Sequence, residues 1–301
     1  MMPNKLLWFC LGLLSASSAP AAGISVRDDT GATVSLAQPA QRIVTLSPHL
    51  AETVFAAGAG GRIVGTVDYS NYPEAARRIP RVGGYSRFDL EAVVALKPDL
   101  IIAWEGGNAP AHLQKLRRLG LPVYLSQISR LEDIAGEIER IGVLAGTRQS
   151  ADTAARTFRQ RLADLQARYA GRPVVRTFYE VWHQPLKTIG GQQFISSVIR
   201  LCGGENVFGT LTATAPDVTV EAVLAANPEA IIASGMGEAR PEWLDDWQAR
   251  PGLLAAQRKN LFFIPPDLIQ RHTPRLLDGA ERLCQHLETA RSRRPAAGNR
   301  E

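Results

Sequence analysis

Two stretches 130 positions apart carry nearly the same text. Residues 90–103 read LEAVVALKPDLIIA and residues 220–233 read VEAVLAANPEAIIA, identical at 8 of 14 positions: Glu91/Glu221, Ala92/Ala222, Val93/Val223, Ala95/Ala225, Pro98/Pro228, Ile101/Ile231, Ile102/Ile232 and Ala103/Ala233. Each copy reads as a short helix running into a buried strand. Asp89 and Thr219 stand where N-caps belong, which puts Glu91 and Glu221 in the first turns, and Pro98 and Pro228 stop the helices. The offset is too long for a solenoid repeat and suits one domain. The chain is therefore expected to fold as two similar α/β lobes in tandem, each with a parallel sheet covered by helices.

The remaining pattern fits this frame. Residues 42–46 read as a strand, with Ser47 as N-cap and Pro48 as first residue of a helix to Ala57, stopped by Gly58. A strand at 63–67 precedes a loop-rich segment, 68–88, that holds Tyr69, Tyr72 and Tyr85, and loops of that length in compact domains usually carry function. Helix 109–119, strand 123–125 and helix 131–145 complete the first lobe. Residues 148–171 form the longest uninterrupted helical pattern, with Ala151, Ala154, Ala155, Phe158, Leu162 and Leu165 on one stripe. Lying between the two copies, this helix is read as a stiff bridge that permits limited hinging. The expected organisation is residues 1–21 signal peptide, 22–147 N-terminal lobe, 148–172 bridging helix, 173–290 C-terminal lobe and 291–301 disordered basic tail.

The leader assignment rests on Lys5, the apolar run Leu6–Leu14 and the small-x-small site Ala19-Pro20-Ala21. No later segment reaches the ~20 apolar residues that a membrane span needs. Removing the leader takes Cys10 away and leaves Cys202 and Cys284; in an exported chain two cysteines suggest one disulfide, the alternative being two unpaired buried thiols. Of the net charge of +5, Lys5 carries +1 and the tail +3, so the body is nearly neutral and gives little support to nucleic-acid binding.

In open α/β sheets ligands sit beyond the carboxyl ends of the strands. Trp104 and Trp182-His183 follow such strands, the tyrosines lie in the long loop, and strand 262–264 leads to Pro265-Pro266-Asp267 and Arg271-His272. Two lobes offering strand-end aromatics describe a cleft for a large, flat, partly apolar ligand, unless half of these rings merely cover sheet ends. Catalytic readings are poor. Ser47 and His49 lack a nucleophile elbow, Glu105-Gly106-Gly107-Asn108 is no dinucleotide fingerprint, and the five histidines are scattered, so no metal or cofactor is expected. Glu91 and Glu221 could simply complement helix dipoles, worth ~0.3–1 kcal/mol each. Their equivalence suggests more: one carboxylate per lobe for docking on a partner that is itself two-fold symmetric.

RIVTLSP, DYSNYP, LEAVVALKPDLIIAWEGGN, CGGENVF and the TPR at 273–275 together resemble the periplasmic cobalamin-binding proteins, class III solute-binding proteins that serve ABC importers. The likeness spans residues 42 to about 290. It implies two Rossmann-like lobes joined by one long helix, a corrinoid held in the cleft, and Tyr69, Tyr85 and Trp104 against it from the first lobe. From the second lobe it implies the loop Asp267, Leu268, Ile269, Gln270 and Arg271. It makes Glu91 and Glu221 the residues that pair with arginines of the dimeric permease, and Cys202–Cys284 a disulfide. The chain departs from the family pattern at Tyr85, Ala215 and Leu268, where the members it resembles carry Trp; Trp182 and His183 are candidates to compensate. The expected product is a monomeric, non-enzymatic periplasmic receptor without membrane insertion. The alternatives are a haem or ferric-siderophore receptor, for which Tyr69, Tyr85 or His272 could supply an axial ligand, and a metal-dependent periplasmic enzyme.

Overall fold

The computed structural model describes residues 23–295 except Met236 and Glu238. The expected signal peptide and the last six residues lie outside them.

An N-terminal hairpin comes first, which the sequence reading passed over as a polar lead. β1 (Ile24–Arg27) pairs antiparallel with β2 (Thr33–Leu36), and their residues alternate between more and less buried. Val34 and Leu36 reach the core. At the turn, Asp28 Oδ1 accepts from Thr30 and Ala32 N–H, while its other oxygen takes Leu125 N–H and ties the hairpin to the first lobe.

The first lobe is built from β3 (Ile43–Thr45), α1 (Pro48–Ala56), β4 (Ile63–Gly65), α2 (Leu90–Ala95), β5 (Leu100–Trp104), α3 (Pro110–Arg118), β6 (Val123–Ser126) and α4 (Asp133–Ala145). α5 (Arg148–Tyr169) follows. The second lobe contains β7 (Val175–Glu180), α6 (Phe194–Leu201), β8 (Gly204–Asn206), α7 (Val220–Ala226), β9 (Ala230–Ala233), α8 (Leu254–Gln257), β10 (Leu261–Phe263), α9 (Pro266–Ile269) and α10 (Leu276–Ser292). Both four-stranded sheets are wholly parallel, and their orders are β4-β3-β5-β6 and β8-β7-β9-β10. In each lobe the second strand forms the edge beside the first, then the third and fourth follow. The duplicated text is a duplicated topology.

The repeat holds in detail. Asp89 accepts from Glu91 and Ala92 N–H, and Thr219 from Ala222 N–H, as N-caps. Val93 and Val223 are fully buried while Glu91 and Glu221 are exposed. At the other end of each helix an arginine satisfies free carbonyls: Arg42 donates to Leu96 and Lys97, Arg176 to Ala226. The turn before each proline needs left-handed backbone, with φ of 47° at Lys97 and 43° at Asn227.

α5 spans 22 residues, about 33 Å. Ala151, Ala155, Phe158, Leu162, Leu165 and Tyr169 are buried in one hydrophobic cluster that contains residues of both lobes, Ile43 and Ile102 with Val175 and Ile232. The bridge is thus packed into a shared core. Separate clusters fill the outer face of each sheet under α2 and α7. Cys202 and Cys284 form a disulfide with Cα atoms 4.6 Å apart, linking the end of α6 to α10.

The second lobe runs past the expected boundary at residue 290. α10 runs on to Ser292, and the basic residues assigned to solvent bind the second lobe. Arg291 donates to the carbonyls of Pro173, Cys202 and Gly203, Arg293 to that of Lys259, and Arg294 to Glu229. A guanidinium carries five donors, and here the unsatisfied carbonyls of neighbouring turns supply the acceptors. Among the described residues no helix is long and apolar enough to cross a membrane.

Candidate functional site

A cavity of about 440 Å³ lies where the carboxyl ends of the two sheets face each other. Trp104, Gln127 and Ile128 line it from the ends of β5 and β6. Val181, beyond β7, and Gln192, Gln193 and Phe194, at the start of α6, line it from the second lobe, together with Gln270 and His272 before α10. Among the described residues the wall holds no Asp, Glu, Lys or Arg. It offers glutamine amides and hydroxyls between apolar and aromatic surfaces, which suits a ligand that is broad, partly apolar and rich in neutral hydrogen-bonding groups.

Trp104 is held by its own loop. Its N–H donates to Asn108 Oδ1 at 2.6 Å, while Asn108 Nδ2 donates to the carbonyls of Leu46 and Tyr85 at 2.8 and 2.7 Å. One buried asparagine therefore ties the end of β3, the tyrosine loop and the Trp104 turn together. Gly107 is required beneath the indole, since a Cβ there would lie 2.0 Å from a ring carbon. Tyr85 packs at 5.7 Å from Trp104. On the opposite wall a Cβ on Gly191 would lie 2.0 Å from the Gly209 carbonyl oxygen, so the glycine lets the glutamine turn before α6 pass close to a neighbouring loop.

A row of rings crosses the floor from lobe to lobe: Trp104 to His49 at 5.3 Å, His49 to His272 at 5.7 Å, His272 to Phe194 at 4.1 Å. Burial drives the His272 pKa down to about 4, and burial with the neighbouring His272 and Arg271 holds His49 well below its usual value. Both rings are neutral at neutral pH. The Ser47 hydroxyl, expected to cap α1, instead pairs with His49 Nδ1 at 2.7 Å.

Beside this floor the lobes are joined by charge. Glu52 on α1, its side chain 2% exposed, accepts from Arg271 at 2.7 Å and from both Nε and Nη2 of Arg275 at 2.9 and 2.7 Å. Arg271 also donates to Asn71 and to the Tyr69 carbonyl, and Asp267 accepts from Asn71 and Arg271. Arg275 covers the Tyr72 ring at 3.7 Å.

The residues singled out from the sequence separate accordingly. Trp104 and Gln270 line the cavity, and Tyr85 extends its aromatic rim. Tyr69 is 79% exposed with its carbonyl in the interlobe network. Asp267 and Arg271 belong to that network and are absent from the cavity wall, as is Leu268. Ile269 is fully buried in the core. Trp182 lies outside the wall with its Nε1–H bonded to the Gln184 carbonyl, and His183 stacks on Trp243 while donating or accepting at Glu180. Burial pushes the Glu180 carboxyl up to about 7, an environment that Trp247 Nε1–H partly offsets. Gln127, Gln193 and Phe194 are lining residues that sequence reasoning missed; the run GGQQF at 190–194 was the one signal for Gln193 and Phe194, and Gln127 had none. Among the described residues no three potential metal ligands converge.

A family model described as a periplasmic binding protein matches residues 43–268. A vitamin B12-binding protein of Vibrio cholerae is 38% identical over 252 residues, covering 84% of this chain and 91% of that one. The crystal structure of the periplasmic vitamin B12 binding protein of Vibrio cholerae superposes with a TM-score of 0.77 at 38% identity, over 84% of this chain and 98% of that one. A periplasmic heme binding protein from Pseudomonas aeruginosa shares the fold at a TM-score of 0.70 and 26% identity, over 86% and 95% of the two chains.

Proposed function

The chain belongs to the periplasmic binding protein family, and we propose on that premise that it captures a corrinoid in the interlobe cleft and delivers it to an ABC importer. The observation that carries the choice of ligand is the chemistry of the cavity wall. A corrinoid presents neutral amides around a flat apolar ring, and the wall answers with Gln127, Gln192, Gln193 and Gln270 among Trp104, Ile128 and Phe194. Haem brings two carboxylates and catecholate or carboxylate ferric siderophores bring net negative charge, which call for cations that the described wall does not supply. The vitamin B12-binding relatives support the same reading. On this account Tyr85 and Trp104 hold one face of the ligand, Tyr69 stands at the rim, and the chain acts in the periplasm as a monomeric carrier without catalysis.

Delivery falls to the repeated helices. Glu91 and Glu221 are exposed and, among the described residues, without an ion-pair partner, and the N–H groups and Thr219 hydroxyl at the start of α7 hold the Glu221 carboxyl below its usual range. They would meet basic residues on a two-fold symmetric permease. The double variant E91R/E221R should bind cyanocobalamin as the parent does while uptake through the importer falls at least about tenfold. Loss of cyanocobalamin binding would place the two glutamates at the ligand, and unchanged uptake would remove them from docking. If the parent itself binds no cyanocobalamin, the capture reading fails.

A further inference from the structure

α2 and α7 lie on the surface yet lack a polar outer face. The exposed residues of α2 are Glu91, Val94 and Ala95, and those of α7 are Glu221, Leu224 and Ala225. A helix whose outer side meets only water normally carries charged and polar residues there. Here each outer face has one carboxylate and is otherwise aliphatic. Val94 is 39% and Leu224 37% exposed, and they are the same position of the repeat, 130 residues apart. Nothing in the internal packing calls for them, because Val93 and Val223 already fill the core beneath.

We propose that Val94 with Ala95, and Leu224 with Ala225, form the apolar half of two equivalent docking patches, each completed by the glutamate one turn earlier. The occupant is a partner with a two-fold repeated surface that sets a cation beside an apolar contact at each repeat. This rests on the delivery reading of Glu91 and Glu221. Two features argue for that occupant over a second copy of this chain or a lipid surface. Each patch carries an exposed carboxylate without an ion-pair partner among the described residues, which favours a cation and repels both another such patch and an anionic membrane. Each patch is presented by the same element of the same topology, so one partner surface used twice fits both. An aliphatic contact with a charge at its edge is also the composition of an interface core with a polar rim. The carboxylate then serves register and encounter, and the aliphatic pair serves the lifetime of the complex.

The test compares V94S/L224S with E91R/E221R, and with V174S as control, since Val174 is 55% exposed just before β7, outside both repeated helices. Each is measured for cyanocobalamin affinity and for cyanocobalamin uptake through the importer. V94S/L224S should keep the parental affinity and lower uptake about tenfold through faster dissociation from the permease, with V174S unchanged. Unchanged uptake in V94S/L224S while E91R/E221R loses it would overturn the apolar patch and leave the delivery reading standing. Unchanged uptake in both would overturn the two together. Loss of cyanocobalamin binding in V94S/L224S would also overturn the proposal, because the residues would then act through the fold.

Discussion

Replacing Glu52 by alanine is expected to cost about 3–5 kcal/mol of stability, because it strands two arginines at the boundary between the lobes. The carboxylate is buried and takes three hydrogen bonds from Arg271 and Arg275. Those side chains are only 12% and 18% exposed, so water replaces little of what they lose. Arg271 keeps Asp267 and Arg275 keeps Tyr72, which places the loss toward the lower end of the range. A double-mutant cycle with Arg275→Ala, followed by urea unfolding, should show coupling above ~1 kcal/mol. Additive effects of less than that would mean the network only decorates the boundary. The same network bears on motion. α5 was read from sequence as a strut that limits hinging, and the structure adds a second tie that spans about 220 residues of sequence, from Glu52 to Arg275.

The second large effect belongs to the disulfide. The C202S/C284S variant is expected to lose about 4–5 kcal/mol, the chain entropy of a closed loop of 82 residues. Both cysteines are fully buried between α6 and α10, so a reductant should act only as the protein unfolds. Equilibrium unfolding of the variant and of the oxidised parent gives the difference. A loss below ~1 kcal/mol would mean that the shared core alone holds these helices together.

The two-lobe plan was readable because a repeated helix-strand unit carries its own caps and stops. Asp89, Thr219, Pro98 and Pro228 each act within a few residues of themselves, and local chemistry of that kind survives in the sequence. The strand ends at Trp104 and Val181 were readable for the same reason, since a buried apolar run announces its own end. What escaped was set by partners far along the chain. Nothing near Asp267 and Arg271 in sequence announces the network that Glu52 and Asn71 complete from the other lobe. Arg291 and Arg294 look like a solvated tail until the carbonyls of Cys202 and Gly203 and the carboxylate of Glu229 are beside them. Gln127 gave no signal and Gln193 little, because a glutamine on a cavity wall and one on a surface read alike; Gln270 was reached only through the family resemblance. The hairpin β1–β2 did alternate in the sequence, but its strands of four residues were too short to stand out from a polar lead.

The central claim is that a neutral, amide-bearing wall between the lobes selects a corrinoid. Parallel titrations of the purified chain with cyanocobalamin and with haemin, followed by calorimetry and visible absorption, test it most directly. The account predicts saturable one-to-one binding of cyanocobalamin and no saturable binding of haemin. Saturable haemin binding with a shifted Soret band, and none of cyanocobalamin, would contradict it.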